Sequence, residues 1–147
     1  MEFAPDGRLF VAEIGGTLRV IKDGELLEEP FVDISTFDQV DSRGGRGLLG
    51  VAFDPKFGDP DNPGNDYVYL HYTQKASDGG PSHNRVVRVT ANSANPNVAL
   101  AGSEQAIFEM DDLGNSTKHN GGAIHFGADG KLYIAVGDNK RNKTAPG

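Results

Sequence analysis

The amino-acid sequence predicts an all-β protein, and within that class a β-propeller of which about two and a half blades are present. Three observations carry this. Short stretches alternate apolar and polar residues and are rich in Val, Ile, Tyr and Phe, the pattern of half-buried strands. Asp-Gly pairs at Asp6-Gly7, Asp23-Gly24 and Asp129-Gly130 punctuate these stretches, and glycine takes the positive φ of tight hairpin turns. Finally, the first hairpin recurs late in the chain. Phe3, Asp6, Gly7, Arg8, Leu9, Phe10, Val11 and Ala12 reappear as Phe126, Asp129, Gly130, Lys131, Leu132, Tyr133, Ile134 and Ala135. Self-similarity of this kind marks a repeat architecture.

The elements follow in order. RLFVAE (8–13) sets Leu9 and Val11 against Phe10 and Ala12, and TLRVIK (17–22) places Leu18 and Val20 on one face. FVDI (31–34) completes a first group of strands. A second group opens with GVAF (50–53) and crosses a turn rich in Asp, Pro and Asn. There YVYLHYT (67–73) sets Val68, Leu70 and Tyr72 against Tyr67, Tyr69 and His71. NRVVRVT (84–90) and AIFEM (106–110) finish that group, and AIHFG (123–127) and KLYIAVG (131–137) begin a third. Four strands per unit is blade-like spacing, so the blades are expected near residues 1–48, 49–112 and 113–147, the last truncated. No stretch reads as an amphipathic helix; VALAGSEQ (98–105) holds a short turn at most. Met1 stands directly on a strand and KRNKTAPG (140–147) follows one. Since propellers close with roughly 4–8 blades, the chain reads as part of a longer one, with further blades as its structural partners.

Composition narrows the function. The 147 residues carry a net charge of −7 with the basic residues scattered, which argues against a nucleic-acid partner. There is no cysteine, which excludes thiol catalysis, disulfides and Cys-ligated zinc. No apolar run is long enough for a membrane helix.

The residues that could carry chemistry gather in KHNGGAIHFGADGKLYIAVGD (118–138). In a propeller, a residue just before an inner strand lies at the mouth of the central channel. His119 holds that place, and an imidazole there can take a proton from an alcohol near neutral pH. Gly121 and Gly122 would let a planar ligand approach the backbone. The alternative is a loop histidine bonded to a carbonyl, with the glycines serving the turn. Asp138 and Asn139 read as turn residues, and His83-Asn84-Arg85 as a structural lead into a strand. His71 and His125 lie within strands and read as packed or solvated. Asp59 and Asp61 suggest a calcium loop, but the twelfth position from Asp59 is Leu70 rather than an acid, so a solvated insertion is the better reading. Asn115-Ser116-Thr117 and Asn142-Lys143-Thr144 fit the glycosylation sequon, to which we attach no role.

Taken together and in order, FAPDGRLFVAE, RGLLGVAFDPKF, YVYLHYT, NRVVRV and HNGGAIHFGADGKLYIAVGDN resemble the glucose/sorbosone dehydrogenase family. These are soluble quinoprotein sugar dehydrogenases that use pyrroloquinoline quinone (PQQ). The resemblance covers nearly the whole chain. It implies a six-bladed propeller with PQQ and Ca²⁺ over the channel, a sugar or polyol substrate, an external electron acceptor and a periplasmic or secreted location. It makes His119 the catalytic base. Lys118, Asn120, Gly121 and Gly122 then become pocket residues, with Arg46 either a pocket residue or a solvated loop charge. Calcium ligands and most of the basic PQQ clamp are expected beyond this chain, which leaves no metal ligand within it. Two departures put glucose itself in doubt. Lys118 stands where the glucose enzymes carry an aspartate, and the loop Arg43-Gly44-Gly45-Arg46-Gly47 lacks their glutamine. A binding module like the hedgehog-interacting proteins, which share this lineage, is the alternative function.

Overall fold

A computed structural model gives the fold and describes residues 1–64, 66–76 and 79–139. The sequon Asn142-Lys143-Thr144 and the final KRNKTAPG lie outside the described residues.

The described chain forms three antiparallel sheets in sequence order. The first contains β1 (Glu2–Phe3), β2 (Leu9–Ala12), β3 (Thr17–Lys22), β4 (Glu25–Leu26) and β5 (Val32–Asp33), with β3 pairing both β4 and β5. The second is a meander of β6 (Leu48–Phe53), β7 (Tyr67–Gln74), β8 (His83–Thr90) and β9 (Gln105–Asp112). The third is the hairpin of β10 (Gly121–Phe126) and β11 (Leu132–Val136). Consecutive antiparallel sheets that pack face to face are propeller blades, and the architecture is a β-propeller.

The main core lies between the first two sheets. Phe10 from β2 stacks edge-on against Phe31 at 5.3 Å and Phe53 at 4.8 Å, and Leu18, Val20, Val68, Leu70 and Tyr72 close around them, all fully buried. The guanidinium of Arg8 caps this cluster over Phe10 and Phe57 at 5.2 and 5.5 Å.

Strand β7 is buried on both faces, although its alternation suggests one buried face. Val68, Leu70 and Tyr72 join the main core, while Tyr69 meets Phe126 of β10 at 5.2 Å and His71 is fully buried on that same side. A blade in the middle of an arc has neighbours on both sides, so its second strand has no solvent face. Conversely, β9 and β11 are exposed: Phe108, Tyr133 and Val136 are each about half exposed or more. The apolar residues of these strands have no further sheet against them among the described residues.

One strand is shorter than the sequence suggests. FVDI yields only β5, because the Asp33 side chain accepts from the Ser35 amide at 2.9 Å and starts a 3₁₀ turn at Ile34–Thr36.

The second and third sheets meet through glycines. A side chain on Gly50 of β6 would collide with the Gly122 carbonyl, and one on Gly122 would come 2.5 Å from the Leu49 side chain. The backbones of β6 and β10 therefore touch, and no larger residue fits at either place without displacing them.

Candidate active site

His119 stands two residues before β10. Its φ is 59°, the left-handed region that few residues other than glycine occupy. The strain is held by its neighbours: the His119 carbonyl accepts from the Asn139 amide at 3.1 Å, and it lies where a side chain on Gly137 would be. The side chain is 55 % exposed, and Nδ1 is 3.0 Å from Asp138 Oδ1. No hydrogen bond joins Nε2 to a described residue. An imidazole that donates Nδ1–H to a carboxylate presents Nε2 as a proton acceptor, the geometry of an oriented general base.

Asp138 reads in the sequence as a turn former in preference to a binding residue, and its side chain lies against the His119 ring. The Asp129-Gly130 turn sets Phe126 opposite Leu132 and Ile124 opposite Ile134. Carried straight on, that register would put Asn139 opposite His119. A bulge between Gly121 and Ile124 shifts the register by one residue, so Gly121 faces Val136; beyond it the Asn139 amide bonds the His119 carbonyl, and the Asp138 side chain reaches the ring. The bulge sits where β10 presses on β6.

The other residues expected at the site are placed as follows. The Cβ directions of Gly121 and Gly122 face protein rather than solvent. Protein fills the space in front of both: the Ala135 carbonyl at 2.6 Å from a Gly121 side chain, and Leu49 in front of Gly122. Their lack of a side chain serves close packing and the positive φ of 78° and 122°. Asn120 is buried and turns inward, donating from Nδ2 to the carbonyls of Gly45 and Thr117 at 2.9 and 3.0 Å. Lys118 is exposed beside His119.

Arg46 is not a solvated loop charge. It is 3 % exposed. Nη1 donates to Asp41 at 2.7 Å, and Nη2 to the carbonyls of Gly114 and Ser116 at 2.7 and 3.1 Å. Asp41, also buried, further accepts from Arg43 Nε and Nη2 at 2.8 Å each and from the Ser82 hydroxyl at 2.8 Å. The bonds from Arg43, then from Arg46 and Ser82, hold its carboxyl far below the usual carboxylate range, although burial acts in the opposite sense. Asn84, at the start of β8, extends the network by bonding Thr73 and the Asn120 carbonyl, a structural role for that segment.

Two further histidines are settled by burial. His125 is exposed on β10. His71 is fully buried with neither ring nitrogen hydrogen-bonded. Burial pushes its pKa down to about 4, and the nearby Gly122 backbone offsets only part of that. The Asp59 loop bonds to itself, Asp59 accepting from Asn62 at 2.6 Å. Among the described residues no three His, Asp or Glu side chains converge as a metal site.

These features can be set beside known proteins. The Glucose / Sorbosone dehydrogenase family matches residues 1–146. The chain is 36 % identical over 138 residues to the hedgehog-interacting protein of Mus musculus, covering 89 % of this chain and 19 % of that protein. It is 28 % identical over 149 residues to quinoprotein glucose dehydrogenase B of Acinetobacter calcoaceticus, covering 97 % of this chain and 29 % of that enzyme. Among solved structures, an oxidoreductase of Thermus thermophilus, described as a glucose dehydrogenase, superposes with a TM-score of 0.70 at 32 % identity. That match covers 95 % of this chain and 37 % of the other. The chain thus spans well under half the length of each of these relatives. With nearly the whole of its sequence matched and its sheets arranged as successive blades, the chain belongs to the glucose/sorbosone dehydrogenase family.

Proposed function

We propose that the protein of which this chain forms a part is a quinoprotein sugar dehydrogenase that oxidises an aldose or sugar-like alcohol, with His119 as its base. One observation carries the reading: an exposed imidazole, held in a strained backbone and fixed through Nδ1 by Asp138 at 3.0 Å. Strain and an oriented base coincide at sites of chemistry more often than in ordinary turns.

In this reading Nε2 of His119 takes the hydroxyl proton from the sugar's anomeric carbon. Asp138 stabilises the imidazolium that results and keeps the ring from rotating. PQQ, if held by the complete protein, would supply the two-electron oxidising chemistry that such a reaction needs. Three carboxylates on that cofactor call for several cations. Arg46 is buried and Arg43 is bonded to Asp41, while Lys118 is exposed. The described residues therefore fit the proton-accepting half of such a site and not the cofactor clamp or a Ca²⁺ site. Lys118 beside the base favours a substrate other than glucose, one with an acceptor or negative charge near the reacting carbon. A periplasmic or secreted location and an external electron acceptor go with this proposal.

The higher identity to the hedgehog-interacting protein supports a second reading, a propeller used as a binding module. Fold does not choose between them. The test is dye reduction by the full-length protein with added PQQ and Ca²⁺ over a panel of aldoses, uronic acids and polyols. Turnover that His119→Gln abolishes supports the enzyme. A folded protein with no turnover on any of them supports the binding module. The 147 residues alone are expected to show none, since the remaining blades would complete the site.

A further inference from the structure

We propose that Arg46 and Asp41 form a staple that sets the orientation of His119, acting as positioning residues for the base rather than touching substrate. The inference rests on the reading of His119 as a base.

The staple joins two loops that are distant in sequence. One, residues 41–47, leads into β6; the other, residues 113–120, leads into β10. Asp41 is anchored to the second sheet: its amide donates to the Thr73 carbonyl at 3.0 Å and its carboxylate accepts from Ser82. Arg46 then reaches from Asp41 to the carbonyls of Gly114 and Ser116, just upstream of His119. The contact continues toward the base. The Gly45 amide donates to the Thr117 carbonyl at 2.8 Å, and Asn120 returns a bond to the Gly45 carbonyl. A side chain on Gly44 would collide with Thr117 Oγ1, so the loops lie in direct contact. His119 is therefore gripped on both flanks, at 117 and at 120, while Asp138 holds its ring.

The residue types suit this task. A guanidinium is a planar fork that can bond a carboxylate with one nitrogen and carbonyls with another. Asp41 neutralises it, so no lone charge is buried. A left-handed histidine persists only where its surroundings over-determine it, and this network supplies that constraint.

Arg46→Lys in the full-length protein tests the idea. Lysine can keep the ion pair with Asp41, but its single ammonium cannot also span both carbonyls. We expect a thermal midpoint within a few degrees of wild type. We expect kcat to fall roughly 10- to 100-fold with KM within about twofold, the mark of a misplaced group rather than lost binding. The ¹⁵N spectrum of the His119 ring should change from one Nδ1–H tautomer to a mixture. An unchanged ring spectrum overturns the proposal, whatever happens to stability or rate. If Arg46→Lys does not fold, Asp41→Asn, which keeps the shape and the Ser82 bond, is read in the same way. Should the wild type oxidise no substrate while the ring spectrum still responds to Arg46→Lys, the staple stands and the dehydrogenase reading falls.

Discussion

In the hairpin of β1 and β2, the Ala4 amide donates to the Arg8 carbonyl at 2.8 Å and the Gly7 amide to Ala4 at 2.9 Å; Asp6 accepts from the Arg8 amide at 3.2 Å. In the hairpin of β10 and β11, Gly127 donates to Lys131 at 2.9 Å and Gly130 to Gly127 at 2.9 Å; Asp129 accepts from the Lys131 amide at 3.1 Å. Both turns use a glycine with positive φ, 89° at Gly7 and 74° at Gly130. Local chemistry is thus the same, and the surroundings differ. Phe10 is fully buried among aromatic rings, whereas its counterpart Tyr133 is 58 % exposed. Arg8 is buried over two of those rings; Lys131 is exposed. The first hairpin is a wall of the core. The last carries, just before its first strand, an imidazole that packing holds in place. Matching turns can therefore build a wall of the core at one end of a chain and carry an exposed imidazole at the other, according to what packs against them.

Substitutions can break this contrast. The largest effect is expected on rate. His119→Gln in the full-length protein should lower turnover on any sugar that the wild type oxidises by about 10²- to 10⁴-fold, the usual worth of a general base, with the circular dichroism unchanged. Phe10→Ala in the opposite hairpin should do the reverse. It should lower the unfolding free energy by about 3–5 kcal/mol in urea titrations, because the ring leaves a cavity in a packed cluster. A rate loss with unaltered stability there would erase the distinction between the two hairpins.

His71, beneath the last hairpin, supplies a pH test. It is neutral when folded, with a pKa of about 4, and titrates near 6.5 when unfolded. The unfolded state therefore binds the proton first as pH falls. Stability should drop between about pH 6.5 and pH 4 by up to roughly 3 kcal/mol, then level off with respect to this group. His71→Leu should flatten that window while leaving the steeper loss below about pH 4, where Asp41 and other carboxylates take up protons. Melting curves at half-unit pH steps would show a retained slope if the assignment is wrong.

Gly122→Ala should cost about 1–3 kcal/mol through its φ of 122° and the approach of Leu49. It should also disturb the His119 tautomer, since the bulge at this residue lies between the rest of β10 and the segment that carries His119. The smallest effect is expected from Tyr133→Ala, within about 1 kcal/mol, because most of the ring is in water. A loss as large as that of Phe10→Ala would mean that the two hairpins have equivalent surroundings after all.

Much of the fold was legible in the residues themselves. Period-two alternation located most strands of the three sheets, though not the two-residue β4, and the Asp-Gly turns set the register of both hairpins near the turn, because side-chain direction and turn dihedrals are fixed within a few residues. His119 could be singled out by its place before a strand. Its partner could not, since Asp138 and Asn139 both follow β11 and only the folded chain shows which side chain reaches the ring. The role of Arg46 was hidden for a different reason: its acceptors are backbone carbonyls 68 and 70 residues away, and carbonyls carry no sequence signature.

What the sequence alone determined was local: strands, turns, the repeat of one hairpin and the resemblance of the ordered motifs to one family. The tertiary structure decided which faces are dry, that glycines 50 and 122 let two sheets touch, and that a buried Asp–Arg pair ties two loops behind one imidazole. The physical reason is range. Dihedral preferences act over neighbouring residues and can be read in order along the chain. Burial, close approach and ion pairing depend on atoms brought together from distant positions, and only the folded arrangement specifies them.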